Sequence, residues 1–149
     1  MDFATLLGKQ LKNDEVMEIL EVFQIDVIYD FDRTHENLPD TYWAGAFKQG
    51  FLFRFNEHQV LDTVFLYIKP SEGYTAIDPV DVPYPLYKTF DDAERDFKYV
   101  EIPYRASSGA PGTDMYKWWI KADFGAHTRH YQFNEGSLFR LTLSAKDDS

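Results

Sequence analysis

The sequence predicts an α+β domain: an antiparallel sheet of about five to seven strands, built from hairpins or a meander, with two or three helices packed on one side. In residues 51–55, phenylalanines alternate with Leu52 and Arg54, the period of a strand with one buried face. A similar pattern recurs near the C-terminus, where residues 133–138 match residues 55–60 and Tyr131 takes the place of Phe53. This recurrence predicts that the chain uses one hairpin design twice.

Two amphipathic segments predict the helices. Asn13 or Asp14 can cap the first helix, because a short polar side chain accepts hydrogen bonds from the free amides of a first turn. Its apolar residues follow a helical spacing that favours core packing: Val16, Ile19, Leu20 and Phe23. Thr89 begins a capping-box pattern before the second helix, whose apolar face carries Phe90, Ala93 and Phe97.

The remaining segments predict further strands and loops. Residues 25–29 read as a strand with Ile25, Val27 and Tyr29 on one face, and Trp43 is expected to anchor the core beneath the sheet. Prolines make residues 70–85 a loop, with residues 80–84 as a possible extended edge, and residues 105–112 form a second loop. Three C-terminal strands are predicted at 116–122, 129–133 and 138–143; the core face of the last carries Phe139, Leu141 and Leu143.

The length favours one domain, residues 1–149. Residues 1–69 and 86–145 each read as a helix followed by antiparallel strands, which is compatible with a degenerate duplication. Convergence of short hairpins on similar turns explains the likeness equally well.

The aromatic content, the lack of cysteine and the net charge limit which classes of function the sequence favours. The 149 residues include 13 Phe, 10 Tyr and 3 Trp, which indicates a packed interior. There is no cysteine, and the N-terminus lacks the pattern of a secretory signal, so we expect a cytoplasmic protein. The net charge of −10 disfavours nucleic-acid and membrane binding and favours a basic protein partner.

The charge is uneven along the chain. Residues 13–40 hold nine acids and one base, residues 71–101 hold eight acids and three bases, and residues 102–146 hold three acids and six bases. A solvated helical face explains such acidity, and so does a surface that docks a cationic partner. The candidate partner-binding residues are Asp26, Tyr29, Asp30, Asp32, Glu36, Asp40, Asp78, Asp81, Asp91 and Asp92.

The sequence offers no catalytic constellation. It has no Gly-x-Ser-x-Gly motif, no cysteine nucleophile and no phosphate-binding glycine loop. His127 and His130 are expected to point to opposite faces of a strand, which argues against a shared metal. We therefore predict no catalytic residue, no metal and no cofactor.

The chain resembles the small cytosolic immunity proteins that bacteria encode beside polymorphic or contact-dependent toxins. The resemblance rests on residues 6–9 (Leu-Leu-Gly-Lys), the acidic helix that follows, residues 50–55 (Gly-Phe-Leu-Phe-Arg-Phe) and Leu66-Tyr67. It implies a non-enzymatic, stoichiometric inhibitor whose acidic surface covers the cationic active site of a toxin.

Two other functions fit the sequence. The aromatic richness is compatible with a small-molecule-binding or enzymatic domain whose pocket is lined by Trp43, Tyr67, Trp118 and His130. A structural adaptor subunit of a larger assembly is the third possibility.

Overall fold

The computed structural model describes residues 1–30, 39–113 and 116–146. The first half of the fold consists of α1 (Asp14–Val22), β1 (Val27–Asp30), β2 (Thr41–Ala46), β3 (Phe51–Phe55) and β4 (Leu61–Tyr67). The second half repeats this order with α2 (Phe90–Tyr99), β5 (Tyr104–Ala106), β6 (Trp119–Asp123), β7 (His127–Asn134) and β8 (Ser137–Ala145). Two short 3-10 helices, Phe3–Leu6 and Pro79–Asp81, precede the two α-helices.

All eight strands belong to one antiparallel sheet, in the order β1-β2-β3-β4-β8-β7-β6-β5. The predicted α+β class is confirmed, but the predicted five to seven strands are too few. β5 accounts for part of the difference, because it spans three residues that the sequence placed partly in a loop. So short a strand shows no alternation that could reveal it.

Each half adds its four strands in chain order from an outer edge towards the centre, where β4 of the first half pairs with β8 of the second. Both hairpins carry a bulge at the same place: Asp62 is the extra residue in β4, and Phe139 is the extra residue in β8. Leu138 therefore corresponds to Leu61, rather than to Val60 as the sequence match suggested. The bulge also makes the prediction for Phe139 wrong, because it leaves this ring partly exposed while Leu138 is buried. Whether the symmetry records a duplication stays a hypothesis.

The two α-helices begin and end in similar ways. Asn13 caps α1 by accepting from the amides of Glu15 and Val16, and the Thr89 hydroxyl accepts from the amide of Asp92 at 3.2 Å. Two residues after the end of each helix, the backbone is left-handed, at Gln24 (φ +54°) and Glu101 (φ +58°). This conformation turns the chain towards the following edge strand.

Both helices pack on the same face of the sheet. Phe23, just after α1, packs against Phe51 with 5.8 Å between the ring centroids. Phe97 of α2 packs against Tyr131 with 6.1 Å between the ring centroids. Leu66 and Leu141 connect the two contacts, because they pair with each other and with Phe51 and Tyr131, respectively. The result is one hydrophobic core shared by both halves.

Neither α1 nor α2, the α-helices of the described residues, packs on the opposite face of the sheet. Trp43 lies there, stacked on Phe65 with Arg54 over its ring, so its predicted role as a core anchor is wrong. The reason is its register: Trp43 alternates with Ala44, which is the residue that faces the helices.

The loop after β4 covers part of this opposite face. The Tyr74 ring is stacked between Phe47 and Tyr67, with its hydroxyl directly above Gly45. Further along, residues 79–81 form a 3-10 helix, so the predicted extended edge at 80–84 is wrong. Pro79 at its first turn fits a helix start, since a first-turn amide has no helical acceptor.

Candidate protein-interaction edge

β1 is the outermost strand of the first half, and its residues are exposed on both of its faces. Three of its four side chains are apolar or aromatic, and Ile28 is 63% exposed. Edge strands that expose apolar residues invite pairing with another chain. β1 is therefore the most conspicuous candidate surface in the described part of the molecule.

The register with β2 fixes which way each β1 side chain points. Val27 pairs with Ala44 and Tyr29 with Tyr42, so both lie on the helix side of the sheet. Ile28 pairs with Trp43 and Asp30 with Thr41, which places them on the opposite side. The apolar and acidic side chains of β1 are thus distributed over two faces, as the alternation of a strand requires.

A groove of about 520 Å³ separates α1 from β1 on the helix side. Its apolar lining comes from Leu11, Met17, Leu20, Ile25 and Val27. The carboxylates of Glu21 and Asp26 lie at its border, together with one cation, Lys12. We call this feature the α1–β1 groove. The sequence missed it because Met17 lies off the apolar stripe of α1, on the exposed part of the helix.

Carboxylates surround this edge. Asp26 and Asp30 are exposed, as are Glu18 and Glu21 of α1. Asp40 approaches β1 from the start of β2, where it accepts a hydrogen bond from the Tyr29 hydroxyl. This hydrogen bond, with a smaller contribution from burial, raises the pKa of Tyr29 to about 12, so the hydroxyl stays protonated at neutral pH. We call the set Glu21, Asp26, Asp30 and Asp40 the acidic edge.

The other predicted partner-binding residues lie elsewhere or are already engaged. Asp78 caps the second 3-10 helix by accepting from the amide of Val80, and Asp81 is exposed in the same helix. Asp91 forms an ion pair with Lys117 at 2.7 Å, and Asp92 forms one with Arg95 at 3.3 Å. Asp32 and Glu36 lie outside the described residues.

The predicted residues therefore do not form one patch. Asp91 and Asp92 belong to α2, which packs against β6, six strands away from β1. At about 4.8 Å between neighbouring strands, this places the two groups roughly 29 Å apart along the sheet. The structure brings together Asp26, Tyr29, Asp30 and Asp40 and separates them from the carboxylates of α2.

The four residues of the predicted aromatic pocket are dispersed as well. Tyr67 is buried beneath Tyr74, while Trp43 and His130 lie on strands of opposite halves. Trp118 lines a cavity of about 750 Å³ at the start of α2, together with Phe90, Phe133 and Lys117. None of the other three lines that cavity.

The histidines behave as their spacing predicts. His127 stacks on Phe124, whereas His130 contacts Trp119 from the other face of β7. Burial, aided by Lys121 and Arg140, lowers the pKa of His130 to about 4, so the ring is neutral at pH 7. Its Nε2 atom is buried without a hydrogen-bond partner. Across residues 1–30, 39–113 and 116–146, no group of three or more acidic or histidine side chains could hold a metal.

None of the helices in the described ranges has the length and apolar character needed to span a membrane. Comparison with known proteins identifies no relative: no protein-family model, no curated protein and no solved structure matches this chain.

Proposed function

We propose that this protein is a non-enzymatic protein-binding domain that uses the acidic edge and β1 to bind a basic partner protein. The observation that carries the proposal is the composition of β1: exposed apolar side chains, at the end of a sheet, between two exposed carboxylates. Interfaces between proteins combine an apolar centre with a polar rim in this way.

The apolar part of this surface supplies the affinity. Val27, Ile28 and Tyr29 are all exposed, as is Met17 of α1, which lines the same groove as Val27. Burying such side chains against a partner removes apolar area from water, and each buried side chain contributes roughly 1.5–3 kcal/mol before the costs of association.

The charged part supplies speed and selectivity. A protein with a net charge of −10 attracts cationic partners, and at moderate salt this attraction acts over distances up to about 10 Å. Asp26 and Asp30 have no hydrogen bond or ion pair within the described part of the chain, so their carboxylates are available to a partner. Asp91 and Asp92, by contrast, are held by Lys117 and Arg95.

The partner we propose is a toxin domain with a cationic surface, and the protein would act as its immunity-type inhibitor. An enzyme that acts on nucleic acid needs such a cationic surface, because it must bind phosphates. An acidic protein that covers this surface blocks the substrate by occupying its site. The resemblance to immunity proteins supports this choice of partner, and the acidic edge supplies the matching charge.

The experiment starts with affinity capture from the source organism at low and at high salt, with the retained protein identified by mass spectrometry. Association rates are then measured for two matched double variants, Asp26→Asn/Asp30→Asn and Asp91→Asn/Asp92→Asn, which change the net charge equally. We expect one basic protein to be retained, and the first variant to associate about tenfold more slowly with a weaker salt dependence.

The second variant should associate about as fast as the wild type, after thermal unfolding confirms that both variants are folded. Equal slowing by both variants would show that only the overall charge matters. Unchanged rates in the first variant would remove the acidic edge from the proposal. Inhibition of the captured protein's activity at one-to-one stoichiometry would support the immunity function.

A further inference from the structure

We propose that the partner binds by adding an extended segment to β1 as a ninth strand, with its apolar side chains seated in the α1–β1 groove. This inference rests on the proposed function, because it takes the acidic edge as the binding surface. It goes further by specifying the backbone geometry of binding and the sequence pattern of the bound segment.

The backbone of β1 is suited to this role. β1 pairs with β2 on one side, and no other strand of the described residues pairs with it on the other. An edge strand presents a row of N–H and C=O groups that another extended chain can pair with. Strand addition of this kind gives affinity through main-chain hydrogen bonds and selectivity through pockets for alternate side chains.

The α1–β1 groove provides such a pocket. Side chains of an added strand alternate between the two faces of the sheet, and those on the helix side would enter the space between β1 and α1. There they would meet Met17, Leu20 and Val27, so apolar side chains fit. The groove thus selects apolar residues at every second position of the bound segment.

The opposite face selects cations. Ile28 and Asp30 lie on this face. Asp26, one residue before β1, supplies a second carboxylate at the border of the α1–β1 groove. Residues of the added strand between the apolar ones would lie beside the Asp30 carboxylate. The expected partner segment therefore alternates cationic with apolar residues over about five positions, the length of residues 26–30.

A second copy of the chain fits this surface poorly. Antiparallel pairing of β1 with itself, centred on Ile28, would place Asp26 of each copy opposite Asp30 of the other, and like charges at paired positions are destabilising. β5 of a second copy offers Arg105, but its Tyr104 is held against Phe97 and Glu94 of its own domain. That side chain cannot leave its core to enter the groove of a neighbour.

The test uses a fluorescently labelled peptide, Lys-Val-Lys-Val-Lys with blocked termini, and the full-length protein. Two control peptides have the same charge: the block isomer Lys-Lys-Lys-Val-Val, and the alternating peptide with N-methylated valines, which cannot donate strand hydrogen bonds there. Fluorescence anisotropy gives the affinities at two salt concentrations. We expect the alternating peptide to bind at least about tenfold more tightly than either control.

Two matched variants of adjacent residues separate strand addition from simple charge attraction. Val27→Asp and Ile28→Asp both add one negative charge to β1, but on opposite faces. Strand addition predicts opposite effects. Val27→Asp removes an apolar contact from the groove and should weaken binding about tenfold, whereas Ile28→Asp adds a carboxylate beside the cations and should strengthen it about two- to fivefold. Thermal unfolding identifies a variant that fails to fold, in which case Val27→Ser replaces it.

Charge attraction alone predicts that both variants strengthen binding and that the three peptides bind alike. That result would overturn strand addition while leaving the acidic edge as the docking surface. Equal affinities for wild type and both variants would overturn strand addition also, and slow association of the captured partner with Asp26→Asn/Asp30→Asn would still support the proposed function. A concentration-dependent increase in mass that Val27→Asp abolishes would replace the partner segment by a second copy.

Discussion

β1 and β5 are the two outermost strands of one sheet, and each follows a helix and a left-handed residue. Their surroundings differ. Tyr104 of β5 contacts Phe97 of α2 and donates a hydrogen bond to Glu94, so it fills the space between strand and helix. At β1 the corresponding space is the open α1–β1 groove. The two halves therefore have the same order of helix and strands, but they differ in whether the space between helix and edge strand is filled.

The two halves have similar residues in the core and different residues at the surface. Corresponding core positions of the two halves carry similar side chains: Phe53 and Tyr131, Phe55 and Phe133, Leu61 and Leu138. At the edges the charge reverses, from Asp26 and Asp30 beside β1 to Arg105 and Lys121 at β5 and β6. A symmetric core therefore supports a surface whose charge differs between the two edges in the described part of the chain.

The largest expected effect tests whether the two halves share one core. Phe53 and Tyr131 are both fully buried at corresponding positions of β3 and β7. We expect Phe53→Ala and Tyr131→Ala each to lower the free energy of unfolding by about 3–5 kcal/mol, because each leaves a cavity in a packed interior. Urea unfolding followed by circular dichroism measures both. A loss below about 1 kcal/mol for either variant, or two separate transitions, would contradict a shared core.

The second prediction concerns a position where the halves differ. Gly45 of β2 corresponds to Lys121 of β6, and a Cβ atom at Gly45 would overlap the Tyr74 hydroxyl. Because Phe47 and Tyr67 hold the Tyr74 ring on both sides, it cannot easily move. Gly45→Ala should cost about 1–3 kcal/mol of stability, and its counterpart Lys121→Ala less than about 0.5 kcal/mol.

Chemical unfolding of these two variants provides the comparison. Similar costs at both positions would show that the loop carrying Tyr74 does not press on β2 as described. A Gly45→Ala/Tyr74→Phe double variant with most of the lost stability restored would identify the hydroxyl as the cause.

The third prediction uses pH to separate the halves. His130 of β7 corresponds to Leu52 of β3. Burial lowers the pKa of His130 to about 4, below its ordinary value of about 6.5 in an unfolded chain. Between these values the unfolded chain binds more protons, so stability falls as the pH drops from about 6.5 to about 4. Because the side chain is partly exposed, we expect this loss to be roughly 1–2 kcal/mol.

Replacing His130 with the residue at its counterpart, His130→Leu, should remove this component. Unfolding by urea at pH 7 and at pH 4.5 measures the loss of stability in both proteins, and the carboxylates contribute equally to each. The variant should lose about 1–2 kcal/mol less than the wild type between the two pH values. Equal losses would show that His130 is not buried as a neutral ring.

The sequence predicted the parts of the fold that depend on short-range patterns. Asn13 and Thr89 cap helices because their side chains reach amides only two or three residues away. The repeated hairpin followed from alternation within β3 and β7. Trp43 and Phe139 were misplaced for a different reason: both sides of the sheet carry aromatic rings, and a bulge changes which residue faces the core. Periodicity alone cannot reveal either.

The candidate site was only partly predictable for the same reason. In the sequence, residues 26–32 mix carboxylates with aromatic and aliphatic residues, which favours a binding surface. The separation of Asp91 and Asp92 from this stretch depends on the strand order, which the sequence does not show. The α1–β1 groove is lined by residues of α1, of β1 and of the segments beside them, so it depends on how these elements lie in three dimensions.

Hydrogen–deuterium exchange on the free protein and on its complex with the captured partner shows which edge of the sheet the partner covers. We expect the partner to slow amide exchange in β1 and in α1, and to leave exchange in β5 unchanged. Slowed exchange at β5, or none at β1, would contradict the claim that the open edge of the first half is the binding surface.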